Sequence, residues 1–143
     1  MLKPIPVKRN YGLYMHMTAN KGLGVFCENP IKPGEVLETT PCILFPSSDA
    51  QDIDKTNLYN YYFSSAFLTD KEAKKLNVLD KDKAGVIACG VMGFCNHSSK
   101  PNGEIIKYVR NERLFFELQA LKDIQANEEI TISYGEVWFD ELE

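Results

Sequence analysis

In Gly93-Phe94-Cys95-Asn96-His97-Ser98-Ser99-Lys100-Pro101-Asn102 an apolar approach stops at an amide, an imidazole and two hydroxyls, and a Pro-Asn turn follows. Polar groups set directly against a buried run either hydrogen-bond fully or line a site, because a buried group left unsatisfied costs roughly 1–3 kcal/mol. Taken alone, the stretch also reads as a polar turn closing a core strand. Two further stretches separate these readings: Lys21-Gly22-Leu23-Gly24-Val25-Phe26 near the start of the chain, and Glu129-Ile130-Thr131-Ile132-Ser133-Tyr134-Gly135 near its end.

These three motifs, in this order, resemble the SET domain, the protein lysine methyltransferase fold. There the first motif is a Gly-x-Gly strand entry, the second Asn-His-Ser followed by Pro-Asn, and the third Glu-Glu-(Ile/Leu)-x-x-x-Tyr-Gly. The resemblance covers residues 21–139, within a single domain expected over 1–143. It implies a mainly β fold: several short β-sheets, few short helices, and a C-terminal segment threaded through a loop like a pseudoknot, against the general rule that connections do not pass through loops.

The composition agrees with a globular domain: 143 residues, 44% hydrophobic and 25% charged, are enough for one core without staples. No run approaches the ~20 apolar residues of a membrane span, and the first residues lack the apolar centre of a signal peptide. A soluble, intracellular, non-secreted protein is expected, in the cytoplasm or, if it acts on histones, the nucleus. A formal charge of −4 argues against direct nucleic-acid binding and suits a basic partner. Glu136, Asp140, Glu141 and Glu143 could attract a Lys/Arg-rich peptide or form a solvated terminus. Cys27, Cys42, Cys89 and Cys95 lack the paired spacing of a zinc site and read as buried thiols; no metal is expected. SET enzymes with flanking cysteine-rich zinc segments differ in this respect, so the chain resembles the minimal stand-alone viral or bacterial kind.

Along the chain, residues 11–17 and 23–27 read as strands separated by a turn at Asn20-Lys21-Gly22, with His16 structural. Pro30-Ile31-Lys32-Pro33-Gly34-Glu35 marks a second turn, and 36–45 a strand broken by Pro41. Residues 52–66 have mixed signals, and the Tyr61-Tyr62-Phe63 cluster favours a strand. Thr69 is a candidate cap for a short helix with acidic residues early and lysines late. Residues 105–109 and 114–118 form a β-hairpin about Arg110-Asn111-Glu112-Arg113. Asn127 stands where the family usually has glycine and is the side chain best suited to a left-handed backbone there.

The chemistry implied by the resemblance is attack of a neutral lysine amine on the methyl of S-adenosylmethionine, with water kept away. Lys21, Gly22, Leu23 and Gly24 would hold the amino-acid end of this cofactor by close backbone approach. Asn96 and His97 would bind its amino and adenine ends, His97 mainly locking the site by hydrogen bonds. The family's cysteine after His-Ser is Ser99 here, a change that bears on packing. Tyr134, whose phenol is a poor base with a reference pKa of ~10, would orient the amine and set its oxygen against the methyl. Tyr61, expected to be catalytic along with Tyr134, and Trp138 complete a lysine channel with Tyr134, and Phe139 lies beside the cofactor. An aromatic channel disfavours the charged amine. Tyr62 and Phe63 read as core.

The enzymatic reading is therefore methyl transfer to lysine in a histone or other basic protein. Its rivals are a catalytically inactive SET-like module that binds peptide or cofactor, and a small β-domain without a ligand. The substrate, the number of methyl groups added and a pairing of two chains are left open by the sequence.

Overall fold

The computed structural model describes residue 4 and residues 7–134. In chain order its elements are β1 (Lys8–Arg9), β2 (Leu13–Met17), β3 (Leu23–Cys27), β4 (Val36–Phe45), α1 (Ser47–Ile53), β5 (Phe63–Ser64), α2 (Asp70–Lys75), β6 (Gly85–Ala88), β7 (Asn96–His97), β8 (Gly103–Arg110), β9 (Arg113–Ala120) and β10 (Glu129–Ile132), with short 3-10 turns between some of them. The fold is mainly β. Six strands form one sheet in the order β5-β6-β4-β9-β8, with β1 also paired to β4; four form a second in the order β2-β3-β10-β7. All pairs are antiparallel except β10 with β7, where Thr131 faces Asn96 and Ile132 faces His97.

Period-two alternation builds the core. On β9, Leu114, Phe116, Leu118 and Ala120 point inward, and on β10 Ile130 and Ile132 do the same. Each of these isoleucines contributes roughly 1.5–3 kcal/mol through burial. The same alternation leaves Glu129 and Thr131 on the outer face of the smaller sheet, where the site residues lie.

The turns follow their residues. Gly34 has φ +83° and Asn127 φ +66°, the left-handed conformations read from the sequence at both places. The hairpin also forms, with Arg110 opposite Arg113 and Asn111-Glu112 alone at the tip. Helix α2 begins at Thr69, whose hydroxyl accepts from Glu72 N at 3.1 Å while the Glu72 carboxylate accepts from Thr69 N at 2.9 Å. This is a full capping box.

Three local readings are corrected. Residues 52–66 are not an extended strand: α1 runs to Ile53, a 3-10 turn spans Asn57–Tyr61, and only Phe63–Ser64 is strand. Thr56 caps that turn by accepting from Leu58 N, and the Tyr62 hydroxyl is anchored on Asp54, so local polar bonds outweigh the β-propensity of the aromatic cluster. Pro41 does not break β4. It sits where the strand changes partner, from β9 through residue 41 to β6 from Cys42 onward, so its missing N–H interrupts neither ladder. The cysteines are all free, but only Cys27 and Cys95 are buried; Cys42 is half-buried and Cys89 exposed.

Candidate active site

The first motif folds as a tight turn onto β3. Thr18 Oγ1 accepts from Lys21 N at 2.9 Å and donates to the Gly22 carbonyl at 2.8 Å, which also accepts from Thr18 N. Gly22 has φ +74°, and a Cβ there would meet nothing within 4 Å, so its requirement is conformational. Gly24 is the opposite case. It lies in β3 opposite His16, and a Cβ would stand 2.5 Å from Glu129 Oε2 and 3.2 Å from Asn96 Nδ2. Its requirement is spatial, and the atoms that impose it belong to the protein.

The second motif arrives from a 3-10 turn, Val91–Phe94, held by a residue missed in the sequence. Glu38 is 2% exposed and accepts from Met92 N at 2.9 Å, Val91 N at 3.0 Å and Arg9 Nε at 3.1 Å. A carboxylate so buried survives because charged and backbone donors saturate it. A Cβ on Gly90 would fall 2.5 Å from its Oε1. The charge placed between Leu37 and Thr39 was the available sequence signal. Asn102, 4% exposed, is likewise structural: it accepts from Thr131 N at 2.9 Å and donates to Glu129 O at 2.8 Å and Glu128 Oε2 at 3.0 Å, fastening the loop to β10.

The three motifs then meet. Lys21 Nζ donates to the His97 carbonyl at 2.9 Å, and Asn96 Nδ2 donates to the Leu23 carbonyl at 3.1 Å. Buried His97 accepts from Tyr134 N at Nδ1, 3.0 Å away, which places its ring proton on Nε2. The Tyr134 hydroxyl donates to the Cys95 carbonyl. Burial first, then Cys95, Tyr61 and Glu129, push this phenol up to about 12. It is therefore neutral throughout the physiological range. With its proton directed at Cys95, the oxygen presents lone pairs elsewhere.

The ring of Tyr134 reaches a cleft of about 750 Å³ between the larger sheet and the segment that precedes α2. Tyr59, Tyr61, Phe63, Phe67 and Phe116 contribute aromatic lining, and Lys107 adds a cation tied to Glu72 at 2.6 Å. Phe63 stands edge-on to Tyr134 with ring centroids 6.5 Å apart. Tyr61, 48% exposed, leans on Phe94 at 5.5 Å. Phe63 packs on Phe116 and Tyr62 on Phe45, but both are half-buried and also line the cleft, so reading them as core alone is corrected. None of residues 21–24, Asn96 or His97 lines this cleft. Tyr134 thus touches both the cleft and the polar cluster behind it. Trp138 and Phe139 lie outside the described residues, as do the acidic residues after Gly135.

Residues 22–135 match the family model of the SET domain. The chain belongs to the SET-domain family. A histone-lysine N-methyltransferase of Schizosaccharomyces pombe, H3 lysine-37 specific, is 30% identical over 138 residues, which cover 96% of this chain and 82% of that protein. An H3 lysine-36 specific histone-lysine N-methyltransferase of Debaryomyces hansenii is 34% identical over 84 residues, 59% of this chain and 10% of that protein. The chain is thus similar to most of one relative and to a small part of the other. The structure resembles that of the Neurospora SET domain protein DIM-5, a histone lysine methyltransferase, with TM-score 0.69 and 24% identity over 91% of this chain and 54% of that one. Mainly β architecture and methyltransferase class both follow from membership of this SET family, which implies S-adenosylmethionine as methyl donor.

Proposed function

We propose that this SET domain methylates lysine side chains of a basic protein, with the cofactor held behind Tyr134 and the substrate in the cleft before it. The observation that carries this is the double attachment of Tyr134: its backbone is bonded to His97, its hydroxyl to Cys95 O, and its ring forms part of the cleft wall.

The polar cluster fits the amino-acid end of S-adenosylmethionine. Outside Gly22 the space is open, Leu23 is 43% exposed beside it, and the Asn96 amide is fixed in one orientation by two acceptors. Lys21, Gly22, Leu23, Gly24, Asn96 and His97 would hold the cofactor there, with Phe139 as a further contact. When bound, it supplies the electrophilic methyl group. The aromatic cleft excludes water and disfavours the ammonium form of an inserted lysine, so the amine loses its proton to solvent before it reacts. Tyr134 accepts an N–H of that amine at its hydroxyl oxygen and so aligns the nitrogen. Tyr61 at the rim, with Trp138, would restrict how much room the amine has.

Both relatives are named for lysines of histone H3, which makes a histone tail the first substrate to test and the nucleus the corresponding compartment. The test is incubation of the chain with methyl-labelled S-adenosylmethionine and an array of lysine peptides, histone tails included. Label on lysine, lost with Tyr134→Phe, is the expected result. Cofactor binding without label on any peptide would leave a binding module and overturn the enzymatic reading.

A further inference from the structure

Strand register brings residues from three strands together on the outer face of the smaller sheet. Glu129 of β10 stands opposite Phe26 of β3, with Gly24 two residues earlier on the same face; Thr131 stands opposite Asn96 of β7. The Asn96 amide nitrogen donates to Glu129 Oε2 at 2.7 Å as well as to the Leu23 carbonyl at 3.1 Å. A carbonyl and a carboxylate accept and do not donate, so chemistry requires the nitrogen of Asn96, and not its oxygen, to face both. The two amide protons are consumed in this way, and Oδ1, which only accepts, is turned away from them. The carboxylate reaches Asn96 across Gly24, where a Cβ would lie 2.5 Å from Oε2.

We infer that Glu129 is a positioning residue for cofactor recognition: by holding both amide protons in concert with Leu23 O, it presents Asn96 Oδ1 to the ammonium at the amino-acid end of S-adenosylmethionine. The inference rests on the cofactor reading given above and adds a selection rule to it. An acceptor that cannot rotate favours the donor end of the amino-acid moiety over its carboxylate, and so sets which way round that moiety lies. It also accounts for Gly24, since the glycine makes room for the carboxylate that orients the amide. Without Glu129 the amide has one fixed partner, and the terminal group can turn.

The test is calorimetry on the full chain with two ligands: S-adenosylmethionine, and 5′-deoxy-5′-methylthioadenosine, which lacks the amino-acid end. Glu129→Leu should weaken S-adenosylmethionine binding about tenfold or more, the loss expected for a misplaced charge-assisted hydrogen bond, and leave methylthioadenosine binding within about twofold. Glu129→Gln keeps an acceptor for Asn96 and should restore S-adenosylmethionine binding to within about threefold of the parent. Should Glu129→Leu not yield folded protein, Glu129→Ala, which is smaller beside Gly24, carries the same expectation. Equal weakening of both ligands, no weakening of either, or a glutamine variant as weak as the leucine one would overturn the assignment. A parent chain that binds neither ligand would instead overturn the cofactor reading, and the two failures are thereby told apart.

Discussion

Tyr134 shows what a single side chain gains from its surroundings. In water a phenol is a weak base and an indifferent hydrogen-bond partner; here its proton is committed to the Cys95 carbonyl and burial keeps it neutral. Replacing it with phenylalanine preserves the ring and its contacts with Phe63 and His97. An interaction made chiefly in the transition state lowers kcat and kcat/KM together. Tyr134→Phe should therefore reduce the methylation rate roughly thirty- to a thousand-fold, about 2–4 kcal/mol, with cofactor affinity within a few-fold of the parent. The pH profile supplies a second check. The rate should rise with pH as the substrate amine, reference pKa ~10.4, loses its proton, and tyrosinate should add no falling limb up to pH ~10. The phenylalanine variant should keep the shape of that curve and lose only its height, as steady-state rates at each pH would show. The motif Glu-Glu-Ile-x-x-x-Tyr made this tyrosine legible in the sequence. Its acceptor was not, because the partner is the backbone of Cys95, and a backbone atom leaves no mark on residue type. The reason for Gly24 was hidden for a related cause: the neighbour that fills its space, Glu129, lies far along the chain.

Among the elements, those specified by short-range chemistry were readable and those settled by competition were not. The Thr69 cap and its Glu72 partner lie three residues apart, and the hairpin register follows from alternating strands about a polar pair. Residues 52–66 set helical spacing against β-propensity, and Asp54 and Thr56 tipped the balance locally. The hairpin tip has a cost of its own. Asn111 at φ +54° and Glu112 at φ +60° form a two-residue turn of the kind that favours Asn-Gly. Left-handed backbone costs a side-chain-bearing residue roughly 1–2 kcal/mol, and glycine gives back about 0.5–1 kcal/mol in entropy. Glu112→Gly should stabilise the protein by roughly 0.5–1 kcal/mol in denaturant melts without changing turnover. Helix α2 offers a titration test. The hydrogen bond from Lys107, followed by that from Thr69 N, holds the Glu72 carboxyl below its ordinary value. A depressed carboxyl stabilises the fold above its unfolded pKa, and that contribution disappears as pH falls through the folded one. Thermal melts of Lys107→Met should accordingly lie below the parent near neutrality and converge with it in acid.

At the scale of the molecule, the arrangement of two sheets separates the groups that Tyr134 joins. Residues 21–24, Asn96 and His97 gather on the smaller sheet, whereas the cleft is walled by β8, β9 and the segment from Tyr59 to Phe67, with Gly93, Pro101, Ile132 and Ser133 beside Tyr134. The order of motifs along the chain announced the family, but this separation depends on β10 inserting between β3 and β7, a long-range pairing that no local pattern encodes. It has a kinetic consequence. If substrate and cofactor enter from opposite sides, a change on the cleft wall should alter one affinity and leave the other alone. Tyr59 suits this test: it lines the cleft, is 42% exposed and belongs to the 3-10 turn away from the polar cluster. Truncating an aromatic anchor in an interface commonly costs about 1–2 kcal/mol, or roughly five- to thirty-fold in affinity. Tyr59→Ala should raise KM for a lysine peptide by that factor while kcat at saturating peptide and the calorimetric Kd for S-adenosylmethionine stay within about twofold. A matched loss of cofactor affinity would mean that the cleft wall and the polar cluster behave as one site, and that Tyr134 does not divide them.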